Sequence, residues 1–178
     1  MLIPDTTALL VIDVQGKLAR TVQQSEQLIE NVRRCVQAAN ILEVPIIWIE
    51  QNPEGLGSTV PELAELMAQP ALRKMTFNCC GSQEIRERLQ QLNKTQLLVC
   101  GIESHVCVYQ SVSGLLEQGY QVELICDAIS SRTEANRELG ITKMVELGAR
   151  RSGTEMAIFE LTGDSARAEF RDILAIVK

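Results

Sequence analysis

Cys107 closes the stretch Gly101-Ile102-Glu103-Ser104-His105-Val106-Cys107, which leaves an apolar run and enters a helical pattern with Ser104 as its cap. A cysteine in a first helical turn faces free backbone amides and the positive end of the helix dipole, and both favour a thiolate. A thiol that attacks carbon also needs a base to take its proton and later return it to a leaving group. The single histidine, His105, stands two positions before Cys107 on the same helix and points elsewhere. Asp13, at the end of the first apolar run, is the better base. A carboxylate beside a developing thiolate requires a fixed cation to favour the ionised pair, and Lys74 or Arg73 could supply it. The chemistry implied is hydrolysis by a nucleophilic cysteine.

Other chemistry is restricted. One histidine excludes a multi-histidine metal site within the chain. The cysteines show no C-x-x-C spacing, and the adjacent pair Cys79-Cys80 cannot easily aim both thiols at one ion. No metal and no cofactor is expected. Cys79, Cys80, Cys100 and Cys126 lie in or beside apolar segments and read as buried thiols of a reducing cytosol rather than a disulfide set.

For Asp13 and Cys107 to meet, the chain must bring two strand ends together. Short apolar runs alternate with helical patterns throughout, as in βαβ units. The runs 8–12, 45–49, 72–75, 96–101, 122–126 and 149–152 read as strands. The helical patterns are 25–42 with Ser25 as cap, 61–67, a helix capped by Ser82 with an Ile85/Leu89/Leu92 stripe, 104–119, 133–147 capped by Thr133, 154–161 and 165–177. The first run is apolar without alternation, which implies burial on both faces of a parallel sheet. The expected fold is therefore α/β, one domain over 1–178. It is a three-layer, doubly wound sheet of about six parallel strands in the order 3-2-1-4-5-6, with helices on both faces. Strands 1 and 4 are then neighbours at the point where the winding reverses. Open sheets of this kind keep their ligand crevice there, and Asp13 and the Cys107 segment both reach it. Lys74 does not follow from this topology, because strand 3 lies two places from strand 1 and its loop would have to lean back.

Composition narrows the partners. Apolar residues at 46% and charged residues at 22% are ordinary for a globular chain, so disorder and fibrous architecture are excluded. The formal net charge of −6 comes with no basic block that could track a phosphate backbone, so no nucleic acid is expected. The N-terminus lacks the pattern of a secretory leader, and no apolar run reaches the ~18 residues of a membrane span. A cytoplasmic protein acting on a small-molecule substrate is expected, with no membrane contact.

Taken together, Leu10-Val11-Ile12-Asp13-Val14-Gln15, Arg73-Lys74-Met75-Thr76-Phe77 and Gly101-Ile102-Glu103-Ser104-His105-Val106-Cys107-Val108 resemble the isochorismatase-like cysteine hydrolases. With Asp127-Ala128-Ile129-Ser130-Ser131-Arg132 downstream, the closest likeness is to the isochorismatase domain-containing branch. The resemblance covers nearly the whole chain. It implies Asp13 as proton shuttle, Lys74 as its electrostatic partner and Cys107 as nucleophile. It also implies an oxyanion hole from the backbone amides of Glu103 and Cys107, shaped by a cis peptide between Ile102 and Glu103, and a homo-oligomer.

Two departures from the family bear on the reaction. Nicotinamidases of the family bind a metal through an Asp-x-His motif after the second strand, where this chain has Glu50-Gln51-Asn52. The true isochorismatases, which cleave a vinyl ether, lack the cysteine that this chain keeps. Hydrolysis of a carbon–nitrogen bond, in an amide or carbamoyl group, is the expected reaction. Two alternatives stand beside it: a non-catalytic or redox-sensing binding protein on the same fold, and an isochorismatase-type ether hydrolase. Gln15, Phe77 and Tyr109 are candidate substrate contacts, and Trp48 and His105 read as structural. The apolar residues around Met156 to Leu161 are a candidate subunit interface.

Overall fold

The structure is a computed structural model that describes residues 1–178. Its strands are β1 (Thr7–Ile12), β2 (Ile46–Gln51), β3 (Leu72–Lys74), β4 (Gln96–Ile102), β5 (Gln121–Ser130) and β6 (Arg150–Ser152). The helices are α1 (Leu18–Thr21), α2 (Ser25–Ile41), α3 (Pro53–Leu56), α4 (Pro61–Ala64), α5 (Gln83–Leu92), α6 (Tyr109–Glu117), α7 (Glu134–Glu146), α8 (Thr154–Thr162) and α9 (Phe170–Val177). All six strands join one parallel sheet in the order β3-β2-β1-β4-β5-β6, as expected.

Two-residue periodicity along the strands divides the core. Leu9 and Val11 of β1 join Leu98 and Cys100 of β4 on the face covered by Val32 and Val36 of α2, Ile158 of α8 and Ile173 of α9. Leu10 and Ile12 join Leu97 and Val99 on the other face, beneath Ile85 of α5, Val112 of α6 and Ile141 of α7. Every residue of β1 and β4 is buried, which is why their sequences are apolar without alternation.

Several boundaries differ from expectation for local reasons. β5 runs on to Ser130 instead of ending near Asp127. Its pairing with β4 shifts between Val99 and Gly101, so four residues of β5 bulge opposite Cys100. The polar Asp127 lies inside this bulge, and its carboxylate accepts from the Thr154 amide at 2.8 Å at the start of α8. Ser25 is the first residue of α2 and not its cap, since Gln24 takes that position and the Ser25 hydroxyl donates to the Ala19 carbonyl. Ser82 does precede α5, but its hydroxyl makes no cap bond. Thr133 caps α7 as expected, accepting from the Asn136 amide. The expected helices at 61–67 and 165–177 contract to Pro61–Ala64 and Phe170–Val177.

Candidate active site

β1 and β4 end side by side, Ile12 opposite Gly101. Gly101 adopts φ 125°, and a Cβ there would overlap the backbone of Ile12, so only glycine lets the strands close at this level. Asp13 follows in the left-handed region at φ 54°, a conformation tolerated by aspartate. The chain thus leaves the sheet sharply at the residue whose side chain matters. After β4 comes a π turn, Ser104–Val108, which leads into α6. Cys107 therefore sits on a π turn and not in the first turn of an α-helix, a local widening that recurs at functional sites. The turn is held from outside: the Ser104 hydroxyl donates to the Arg137 carbonyl at 2.8 Å, and Gly140 of α7 lies against Ser104 where a Cβ would clash.

Lys74 reaches Asp13 without any leaning loop. It ends β3 in register with Gln51 of β2, and its side chain crosses the end of β2. Two strand spacings, about 10 Å, fall within the combined reach of a lysine and an aspartate. Lys74 Nζ donates to Asp13 Oδ2 at 2.7 Å and to Gln51 Oε1 at 2.7 Å. Both side chains of the ion pair are sealed, at 0% and 2% exposure. Asp13 Oδ1, also buried, has no hydrogen-bond partner.

Burial pushes the Asp13 carboxyl above its ordinary range, while Lys74 and Cys107 pull it down and Glu50 adds to the rise. Burial likewise pushes the Cys107 thiol up to about 12; the Asp13 charge adds to this and Lys74 opposes it. This rise opposes the expected pull of the turn's amides toward a thiolate. A neutral thiol next to a carboxylate with a free oxygen can lose its proton as it attacks.

The peptide between Ile102 and Glu103 is cis. The Glu103 carbonyl accepts from the Val106 and Val108 amides, the residues flanking Cys107, at 3.0 and 3.2 Å. Glu103's own N–H donates to no other group of the chain. Its carboxylate accepts from Arg132 N at 3.2 Å and Nε at 3.0 Å.

A sequence profile for the isochorismatase domain matches residues 7–156. The chain belongs to the isochorismatase family. Isochorismatase domain-containing protein 2 of Macaca fascicularis is 35% identical over 178 residues, covering 99% of this chain and 85% of the relative. A solved structure of MAR1 ribonuclease from Caenorhabditis elegans has a TM-score of 0.93 at 35% identity, over 99% of this chain and 91% of that one. The YcaC gene product of Escherichia coli, described as an octameric hydrolase of unknown specificity, shares the fold with a TM-score of 0.89 at 23% identity, over 99% and 86%.

Within this isochorismatase-family fold, the crevice gathers Asp13, Lys74, Glu103 and Cys107, four of the expected site residues. Gln15 has another task. Its side-chain amide donates to the Gly57 carbonyl at 2.6 Å and accepts from the Gln51 backbone N–H at 2.7 Å, fully buried, so it braces the 51–59 loop. Phe77 is 51% exposed on the segment leaving β3. Tyr109 is half-buried, with Lys143 Nζ 5.9 Å from its ring centre. Trp48 is packed in the core, and His105 Nδ1 meets the Ser131 hydroxyl at 3.0 Å, so both are structural.

Sequence reading missed Gln51, which steadies Lys74 and whose amide donates to the Met75 carbonyl at 2.8 Å. It also missed Glu50, buried and accepting from the Thr59 amide and hydroxyl at 2.7 and 2.8 Å. Two polar residues ending an otherwise apolar strand were the available signal. No helix is long and apolar enough to cross a membrane.

Proposed function

We propose that this protein is a cysteine hydrolase that cleaves the carbon–nitrogen bond of a small amide or carbamoyl substrate. One observation carries the reading: the buried Asp13–Lys74 pair lies beside Cys107, with one Asp13 oxygen left free to accept a proton. Asp13 takes the thiol proton as sulfur bonds to the carbonyl carbon. The oxygen, now negative, is held by the Glu103 and Cys107 amides, each such donor contributing about 3 kcal/mol in comparable sites. The carbon–nitrogen bond breaks, and the proton on Asp13 passes to the leaving amine. Water then attacks the thioester, Asp13 takes its proton, the acid departs, and the proton returns to sulfur. Lys74 keeps Asp13 ionised between transfers, against the burial that favours its neutral form.

The similar C. elegans protein is named a ribonuclease. For this chain, a net charge of −6 and a crevice holding Asp13, Glu50 and Glu103 disfavour a polyanion. The small-molecule reading is the stronger one. Of the expected interface segment, Ala157, Ile158 and Leu161 are buried in this chain's own core and Met156 stays exposed, so a homo-oligomer rests on the family likeness, in which the similar E. coli YcaC gene product is octameric. Six free cysteines support a reducing, cytoplasmic setting.

The test is ammonia release from a panel of small primary amides and carbamates, with Cys107→Ala and Asp13→Asn as controls. Release that both variants abolish is the expected result. Release that survives Cys107→Ala would show that Cys107 is not the nucleophile, and no release from any amide beside turnover of a vinyl ether would instead favour the ether-hydrolase type of chemistry.

A further inference from the structure

We propose that Arg132 is a positioning residue for the oxyanion hole, holding the Glu103 amide in place through the Glu103 carboxylate. The proposal rests on the cysteine-hydrolase reading above. Residue 103 is fixed at both of its other handles. Its carbonyl is taken by the Val106 and Val108 amides, and its carboxylate by the backbone and guanidinium of Arg132. Its N–H is left without a partner in the chain.

Arg132 can serve as an anchor because the chain leading to it is itself tied down. The Ser130 hydroxyl donates to the Gln23 carbonyl at 2.7 Å, and the Gln23 amide donates to the Ser131 carbonyl at 2.8 Å. The Ser131 hydroxyl meets His105 of the nucleophile turn at 3.0 Å. The end of β5 is thus bolted to the loop before α2 on one side and to residues 103 and 105 on the other. A side chain held at its tip restricts rotation of its own backbone unit. An oxyanion donor misplaced by ~1 Å loses roughly 100-fold in rate.

The Arg132 side chain is 59% exposed and that of Glu103 only 9%. An ion pair with one partner so exposed contributes little to folding. A catalytic loss without a stability loss is therefore the mark of positioning.

The experiment separates two reactions of the same sulfur. Iodoacetamide alkylates a thiol by displacing iodide, with no oxyanion formed, whereas p-nitrophenyl acetate acetylates it through one. Both rates are read on the Cys107 peptide by mass spectrometry for wild type, Arg132→Met, Arg132→Lys and Glu103→Gln. Arg132→Met is expected to slow the maximal acetylation rate about 10- to 100-fold while alkylation and Tm hold, with partial recovery in Arg132→Lys. Acetylation unchanged in Arg132→Met overturns the proposal and leaves the hydrolase reading standing. Acetylation and alkylation falling together also overturns it, since the arginine would then act on the thiol. A wild type whose Cys107 is not acetylated brings down both readings.

Discussion

Cys35 and Cys107 lie on opposite faces of one sheet, and burial pushes each thiol up to about 12. Their surroundings differ in a single respect that matters. Cys35, on α2, has the Thr154 hydroxyl 3.9 Å from its sulfur, and the nearby carboxylate, Asp127, is taken up by the Thr154 amide and hydroxyl. Cys107 has Asp13, with a free oxygen, and Lys74 behind it. A similar rise in the two thiols therefore hides unequal capacity for chemistry. A buried thiol becomes a nucleophile when something adjacent can take its proton, and the resting pKa does not report that.

The sharpest way to break the comparison is turnover. Cys107→Ala is expected to lower amide hydrolysis at least about 1000-fold, while Cys35→Ala stays within about 2-fold of wild type. Comparable losses in the two variants, measured by ammonia release, would show that the carboxylate does not distinguish them.

Next in size is the cost of the charged pair that only the Cys107 side possesses. Lys74→Met leaves Asp13 buried without its cation and should destabilise the fold by about 3–5 kcal/mol in urea titration. The double variant Asp13→Asn/Lys74→Met should recover part of that loss. A double variant as unstable as the single one would mean that lysine packing, not charge, is what matters.

A smaller effect concerns the proton itself. Since the Cys107 thiol is pushed up to about 12, its alkylation by iodoacetamide should be slow at neutrality. It should rise about tenfold per pH unit toward that value, as the thiolate fraction does. Lys74 opposes the shift, so Lys74→Ala should slow labelling further at every pH. Labelling already fast and level at pH 6 would indicate a resting thiolate.

The smallest effect is one in which the two cysteines should match. Each keeps its proton in the folded state from the ordinary 9.0 up to about 12. Folded chains then bind more protons than unfolded ones in that window, so stability is present below pH 9.0 and is lost as pH rises to about 12. Thermal melts across the window should lose the same share of this slope in Cys35→Ala and Cys107→Ala. A slope that only one variant reduces would show that their proton affinities are not equal.

Much of this architecture could be read from residue order alone. The unalternating run Ala8 to Ile12 demands burial on both faces, and six such runs separated by helical patterns leave a doubly wound sheet as the economical solution. With that order, Asp13 and the Gly101–Cys107 segment must arrive at one crevice, because both follow adjacent strands at the reversal of winding. Asp13 and Cys107 were legible for that reason, whereas Glu103 as an oxyanion donor came from the family resemblance.

What only the tertiary structure decided is what depends on side-chain reach and on competition for partners. Lys74 meets Asp13 across an intervening strand, a distance that strand order counts but side-chain length spans. Gln15, polar and next to Asp13, gives its side-chain amide to the 51–59 loop, a partnership that its sequence position does not announce. The length of β5 depends on a bulge opposite Cys100, and the turn type at Cys107 on how closely Gly140 of α7 approaches Ser104. Sequence determines which residues share a strand or a face, through periodicity and burial. Which polar atom finds which partner is decided only once every element has been packed, since each buried donor and acceptor is satisfied by whatever the whole fold brings near it.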